Sequence, residues 1–258
     1  MDDQIHTTNK KLWYRVPLLL IAAGLCARFI NEFSFDVADW LYPSLKSFDP
    51  ERVFLYISIH HIVQWLLALF LILLIVRVTK HSMADFGYNL NDWKASLRWV
   101  FIFSAIWLVI QFGAGYFLVK NGMSANPGYP LNTRNVIGIY AFELFLSGTS
   151  EETLFRGLIM TTMLLWWRPV FSTDKKAAWA SLIASTLVFM FEHINFSLSP
   201  FGITHFNLLQ QGTTLIFGVY YGLLYRRTGS LLGPMLAHGL LNCIIVASGM
   251  VLFLVFGY

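Results

Sequence analysis

The chain has 258 residues, of which 57% are hydrophobic and only 12% are charged. An average soluble domain carries roughly a quarter charged residues, so these proportions exclude a water-soluble globule and a disordered chain. The net charge of +4 is too small, and the positive residues are too scattered, to indicate that the protein binds nucleic acid. The composition therefore predicts an all-α, polytopic transmembrane helical bundle.

Candidate spanning helices follow one another along the whole chain, since a span needs about 20 apolar residues. We identify seven, at roughly Tyr14–Ile30, Val53–Val76, Leu97–Val119, Ile137–Trp166, Ala178–Phe196, Phe206–Leu224 and Leu231–Phe256. The first is the weakest, because Arg28 and Glu32 crowd its end. The fourth is longer than one crossing requires, so we expect it to be tilted or interrupted near Gly148. No long polar linker divides the chain, which predicts a single membrane domain over residues 1–258.

The distribution of lysine and arginine predicts the orientation. With the N-terminus inside, the inner segments hold 12 of these residues, including Lys10 and Lys11, and the outer segments hold 4. Positive residues concentrate on the cytoplasmic side of membrane proteins. We therefore expect a multi-pass protein of the cell membrane with a cytoplasmic N-terminus and an external C-terminus.

Span four contains charged residues, which are costly in hydrocarbon and usually serve a function. Glu152 and Arg156 are four residues apart, so they share a helix face and can pair. Glu151 points about 100° away with no obvious local cation, which suits a general acid or base. The alternative is that both glutamates only link helices.

Spans five and seven carry further polar groups, Glu192 with His193 and His238 with Asn242. His238 and Asn242 are four residues apart, so they can present donors side by side to an oxyanion. Alternatively, the two histidines and a glutamate form the ligand set of a catalytic zinc site. At ~1.5 Å per residue, Glu151, His193 and Asn242 each lie roughly 21–22 Å from the inner end of their helix. This common depth predicts that the three helices converge on one site.

Other polar residues receive weaker predictions. In span two, we favour interhelical hydrogen bonds over cavity lining for His60, His61 and Gln64. Glu143 lies eight residues before Glu151, about 80° away around an α-helix, so we expect a satisfied or interface-exposed acid. Glu192 points away from His193 and is expected to be a supporting partner.

The three motifs, in this order, resemble those of the CPBP intramembrane endopeptidase family, also called the CAAX protease or abortive-infection (Abi) family. The family pattern E-E-x-x-x-R, F-x-x-x-H and H-x-x-x-N or D appears as Glu151-Glu152-x-x-x-Arg156, Phe189-x-x-x-His193 and His238-x-x-x-Asn242. The resemblance covers about residues 137–242 and implies a CAAX-protease-like catalytic core there. Residues 1–136 are expected to be N-terminal spans without a specific motif.

The resemblance implies peptide-bond hydrolysis at the membrane. By position, Glu151 activates water, His193 helps to hold it, and His238 and Asn242 stabilise the oxyanion. Glu152 and Arg156 would be supporting residues. We favour this version, which requires no cofactor. The metalloprotease version would use Glu151, His193 and His238 as zinc ligands, with Glu152 or Glu192 as the base.

The expected partners are membrane lipid and a protein or peptide substrate, lipidated substrates included, with no nucleic acid. Eukaryotic members of the family trim the last three residues from prenylated CAAX proteins, and bacterial members are linked to bacteriocin self-immunity. Two other functions remain open, namely a non-catalytic immunity scaffold and a transporter with a buried proton relay. The relay would use Glu143, Glu151, Glu152, His193 and His238. Internal inverted repeats would favour a transporter, and the sequence contains none that we detect.

Overall fold

A computed structural model describes residues 12–198 and 200–257 of the protein. Seven continuous helices dominate this described part, which confirms the all-α membrane fold. They are α1 (Arg15–Leu45), α2 (Leu55–Val78), α3 (Trp93–Lys120), α4 (residues 133–167), α5 (Asp174–Glu192), α6 (Leu208–Thr228) and α7 (Leu232–Phe256). Lys10 and Lys11, on which the orientation prediction partly rests, lie outside the described residues.

Four described segments are long and apolar enough to cross a membrane. They are Arg15–Phe48, Leu55–Val78, Trp93–Lys120 and Leu232–Phe256. Large apolar side chains such as Phe29, Phe70 and Val109 are exposed on these helices. Exposed apolar surface of this extent is expected of a protein surrounded by lipid. The remaining helices, α4, α5 and α6, contribute most of the polar residues of the site.

Helix α4 lies at the centre of the bundle, where it contacts α2, α5 and α7. Around it, α1 packs on α2, α3 on α7, and α5 on α6. Every residue from 152 to 161 is buried. The polar residues of this stretch, Glu152, Thr153, Arg156 and Thr161, are therefore held inside the protein.

Helix α4 is unbroken but contains two π-helical segments. The α-helical segments Thr133–Ala141, Gly148–Glu152 and Thr161–Trp167 alternate with the π-helical segments Phe142–Ser147 and Thr153–Met160. We expected α4 to be tilted or interrupted near Gly148. The helix has no gap there, but one π-helical segment precedes Gly148–Glu152 and another follows it. Such segments occur frequently at functional sites.

Two glycines allow the backbones of α4 and α7 to touch. A Cβ atom on Gly148 would lie 2.3 Å from the carbonyl oxygen of Met235, and one on Gly239 would lie 2.9 Å from that of Glu143. Only glycine fits at such an approach, as is common where membrane helices pack closely. This contact brings the polar residues of α7 next to those of α4.

Two predicted helix ends were wrong. Helix α1 continues to Leu45, well beyond Ile30, because Arg28 and Glu32 pair at 2.6 Å on one helix face and so do not end the helix. The fifth helix ends at Glu192 rather than Phe196. The chain after it forms an antiparallel hairpin of strands β1 (Asn195–Leu198) and β2 (Phe201–His205) before α6 begins.

Candidate active site

The four predicted catalytic residues line one cavity of about 250 Å³; they are Glu151, His193, His238 and Asn242. They come from α4, the end of α5, and α7, and residues of α6 close the remaining wall. The other lining residues are Glu143, Phe189, Gln210, Thr213, Thr214, Phe217, Ile245 and Val246. A water molecule occupies about 30 Å³ in the liquid, so this polar cavity has room for several.

Glu151 lies in the short α-helical segment between the two π-helical ones. Its Oε2 atom is buried and has no hydrogen-bond partner within the described residues. The Nε2 atom of His238 lies 3.7 Å from Oε2, and that of His61 lies 3.9 Å from Oε1. Both separations are too long for direct hydrogen bonds. The carboxylate is therefore flanked by two imidazoles while it can still bind water.

His238 is held in one orientation by Glu152. Its Nδ1 atom lies 2.9 Å from Glu152 Oε1, and its ring stacks on Tyr221 with centroids 4.9 Å apart. A carboxylate accepts hydrogen bonds, so His238 donates through Nδ1–H and turns Nε2 toward Glu151. A buried carboxylate commonly fixes the tautomer and orientation of a catalytic imidazole in this way.

The predicted pair of Glu152 and Arg156 is present and almost completely buried. Arg156 Nη1 donates to Glu152 Oε1 at 3.0 Å, and Nη2 donates to the carbonyl oxygen of Gly218 on α6 at 3.0 Å. The guanidinium also lies over the rings of Phe189 and Tyr221, at 4.9 and 5.3 Å. Arg156 therefore fixes Glu152, which in turn fixes His238.

His193 caps the C-terminal end of α5. We expected it to lie inside a helix, but it follows the last helical residue. Its Nδ1 atom lies 2.8 Å from the carbonyl oxygen of Phe189. The carbonyl can only accept, so Nδ1 carries the proton and Nε2 of the neutral ring has a free lone pair. The F-x-x-x-H spacing thus places the histidine over the carbonyl of the residue one turn earlier.

Asn242 differs from its expected role as a free donor beside His238. Its Nδ2 group donates to Glu143 Oε2 and to Ser147 Oγ, both at 2.9 Å. The two amide hydrogens are therefore engaged by α4. Asn242 lines the cavity, but it can donate to a ligand only after one of these bonds breaks.

Glu143 is a site residue whose position sequence reasoning did not predict. It lines the same cavity as Glu151 and accepts the hydrogen bond from Asn242. The angular estimate used α-helical geometry, but Phe142–Ser147 is π-helical, and a π-helical turn contains more residues. The acid is satisfied as expected, although its partner is a motif residue at the cavity.

A second cavity of about 360 Å³ adjoins the first, and Glu151, His193 and Gln210 line both. Its other polar walls are Asn31, His60, His61, Gln64, Glu192, Asn195 and His205. The polar residues of α2 therefore line a cavity. The favoured interhelical hydrogen bond is also present, between His61 Nδ1 and Ser150 Oγ at 2.5 Å. No motif in the sequence distinguishes His61 from His60.

The zinc alternative requires three ligand atoms about 2.0–2.2 Å from one point. Across residues 12–198 and 200–257, no group of three or more His, Cys, Asp or Glu side chains is arranged to hold a metal. His238 commits Nδ1 to Glu152, and its Nε2 lies 3.7 Å from Glu151. The side chains as they are placed do not fit the ligand set Glu151, His193 and His238.

Residues 133–244 match the family described as "Rce1-like: Type II CAAX prenyl endopeptidase Rce1-like". Neither a search of curated proteins nor a search of solved structures finds a match. The matched segment runs from the start of α4 into α7 and contains all three sequence motifs. The resemblance seen in those motifs is therefore confirmed, since residues 133–244 of this chain are similar to the Rce1-like type II CAAX prenyl endopeptidase family.

Proposed function

We propose that this protein is an intramembrane endopeptidase in which Glu151 activates water to hydrolyse a peptide bond. One observation carries the proposal: the buried Oε2 atom of Glu151 has no hydrogen-bond partner among the described residues, and the Glu151 side chain lines a polar cavity large enough for water. An unsatisfied buried carboxylate is costly, which favours a functional role over a structural one. The family supplies the class of reaction.

In the first step, Glu151 and the free lone pair of His193 Nε2 each accept a hydrogen bond from one water molecule. Glu151 removes a proton from this water, and the hydroxide oxygen bonds to the carbonyl carbon of the substrate. Proton transfer by a positioned side chain typically accelerates a reaction about 10²–10⁴-fold.

The oxyanion that forms needs donors on the opposite side. His238 donates through Nε2–H when both its nitrogens are protonated, a form that the adjacent carboxylates of Glu151 and Glu152 stabilise. Asn242 is the second donor in the substrate-bound state, where one N–H turns from Ser147 to the oxyanion. Glu151 then returns its proton to the amide nitrogen, the C–N bond breaks, and a carboxylic acid and an amine leave.

The proposal needs no metal or other cofactor. The substrate is a protein or peptide, with prenylated CAAX sequences as the first class to test because of the family. The protein resides in the cell membrane in contact with lipid, with the N-terminus cytoplasmic and the C-terminus outside. The excess of positive residues in the inner segments supports this orientation.

The test is cleavage of a farnesylated CAAX peptide by the purified full-length protein in detergent, followed by mass spectrometry. We compare Glu151→Gln with Asp36→Asn, a matched amide substitution at an exposed position of α1. We expect the Asp36 variant to retain the wild-type rate and the Glu151 variant to lose activity about 10²–10⁴-fold. Cleavage by Glu151→Gln within tenfold of the wild-type rate would overturn the proposal.

A further inference from the structure

His61 links the N-terminal half of the chain to the candidate active site. It lies in α2, outside the segment matched by the family, and is only 6% exposed. Its ring packs edge-on against Phe142 of α4, with centroids 4.9 Å apart. Its nitrogens face Ser150 and Glu151, so α2 contributes directly to the surroundings of the candidate base.

The hydrogen bonds around Ser150 determine which nitrogen of His61 carries the proton. Ser150 Oγ donates its one hydrogen to the carbonyl oxygen of Ser147 at 3.1 Å. We assign the hydroxyl hydrogen to this bond, so the same oxygen accepts from His61 Nδ1, which lies 2.5 Å away. The neutral ring is consequently protonated at Nδ1 and has a lone pair at Nε2.

That lone pair is directed at a carboxylate oxygen. Nε2 of His61 lies 3.9 Å from Glu151 Oε1. Two acceptors that face each other repel unless a proton or a water molecule lies between them. On the other side, His238 Nε2 approaches Oε2 at 3.7 Å. Each oxygen of Glu151 therefore has its own imidazole, and the hydrogen bonds of the two rings differ.

We propose that His61 is a positioning residue that stabilises Glu151 in its protonated form. This inference rests on the proposed function. When Glu151 holds the proton taken from water, Oε1 and His61 Nε2 close from 3.9 Å to hydrogen-bond distance. Oε1–H then donates to Nε2, which aligns the carboxyl group until the proton passes to the leaving amine. No bond forms or breaks at His61 itself. The proton remains on Glu151 and is shared with the imidazole.

The prediction concerns catalysis after substrate has bound. Replacing His61 by alanine should lower kcat about 100-fold and leave KM within about twofold, because the acceptor faces Glu151 and not the bound peptide. His61→Gln keeps an acceptor near the position of Nε2 and should recover part of the loss. Added imidazole should partly restore His61→Ala, since the adjoining cavity of about 360 Å³ can admit it.

The matched control is His60→Ala, which removes the neighbouring buried histidine. His60 stacks on Phe35 with centroids 3.9 Å apart. We expect His60→Ala to reduce stability about as much as His61→Ala does, but to leave kcat near the wild-type value. Thermal unfolding of both variants corrects for any loss of folded protein.

A merely structural role for His61 would give a different pattern. Equal kcat values for His61→Ala and His60→Ala, or no recovery with either glutamine or imidazole, would overturn the inference. Glu151→Gln is measured in parallel. If that variant is inactive while His61→Ala behaves like His60→Ala, only this inference fails. If Glu151→Gln is active, the proposed function fails as well.

Discussion

Removing the charge of Arg156 is the most informative perturbation of the fold around the site. Arg156 is completely buried and donates to both Glu152 Oε1 and the carbonyl oxygen of Gly218. Arg156→Leu keeps an apolar side chain in the bundle but leaves the Glu152 carboxylate without its guanidinium partner. We therefore expect both stability and activity to fall.

The magnitude follows from the burial of both partners. Removing one member of a buried ion pair costs about 3–5 kcal/mol, because the remaining charge is desolvated and uncompensated. Replacing both Arg156 and Glu152 by leucine removes the stranded charge. The double variant then loses mainly the hydrogen bond to His238 Nδ1, at about 1–3 kcal/mol. The double variant should thus be more stable than the single one by about 2 kcal/mol.

The assay is the free energy of unfolding, measured by titration of SDS into mixed micelles and monitored by tryptophan fluorescence. Arg134→Leu is the control on the same helix, because its pair with Glu51 is partly exposed. A surface pair contributes about 0–1 kcal/mol, so this control should change little. A loss below about 1 kcal/mol for Arg156→Leu, or a double variant no more stable than the single one, would refute the reasoning.

Three further predictions concern packing, charge and metal. Gly148→Ala should destabilise the protein by at least about 2 kcal/mol because its Cβ meets the Met235 carbonyl, whereas Gly113→Ala, with open space around it, should stabilise by about 0.5–1 kcal/mol. Equal stability changes would contradict the close contact of α4 and α7. Glu192→Gln should stabilise by about 1–2 kcal/mol, since both buried oxygens of Glu192, at the C-terminal end of α5, lack hydrogen-bond partners among the described residues. A loss of stability there would mean that the carboxylate has a favourable partner. A chelator that strips zinc should leave the cleavage rate unchanged, and a loss restored only by added zinc would refute a mechanism without metal.

The sequence predicts the features that depend on local spacing. Hydropathy identifies all seven helices, because each apolar run is long enough to be seen without knowledge of its neighbours. The pair of Glu152 and Arg156 follows from their separation of four residues along one helix. The side chains of Glu151, His193, His238 and Asn242 line one cavity, as their common depth in the bundle predicts.

The features that were missed depend on contacts between distant segments or on irregular backbone. The π-helical segment Phe142–Ser147 changes the angular position of Glu143 relative to Glu151, and no residue pattern predicts this segment. The end of α5 at Glu192 could not be predicted because apolar residues continue into the hairpin. His61 is set apart from His60 by its contacts with Phe142, Ser150 and Glu151, which are all distant along the chain.

Water reaching Glu151 inside the bilayer is the physical condition on which the catalytic proposal depends, and thiol labelling measures it. In a protein with Cys26 and Cys243 replaced by alanine, we compare the labelling rates of Thr214→Cys and Ser181→Cys by a membrane-impermeant, polar thiol reagent. Both native hydroxyls are buried and donate to a carbonyl of their own helix, but only Thr214 lines the cavity. We expect rapid labelling at position 214 and none at position 181. If neither position is labelled, the result would contradict a water-filled active site.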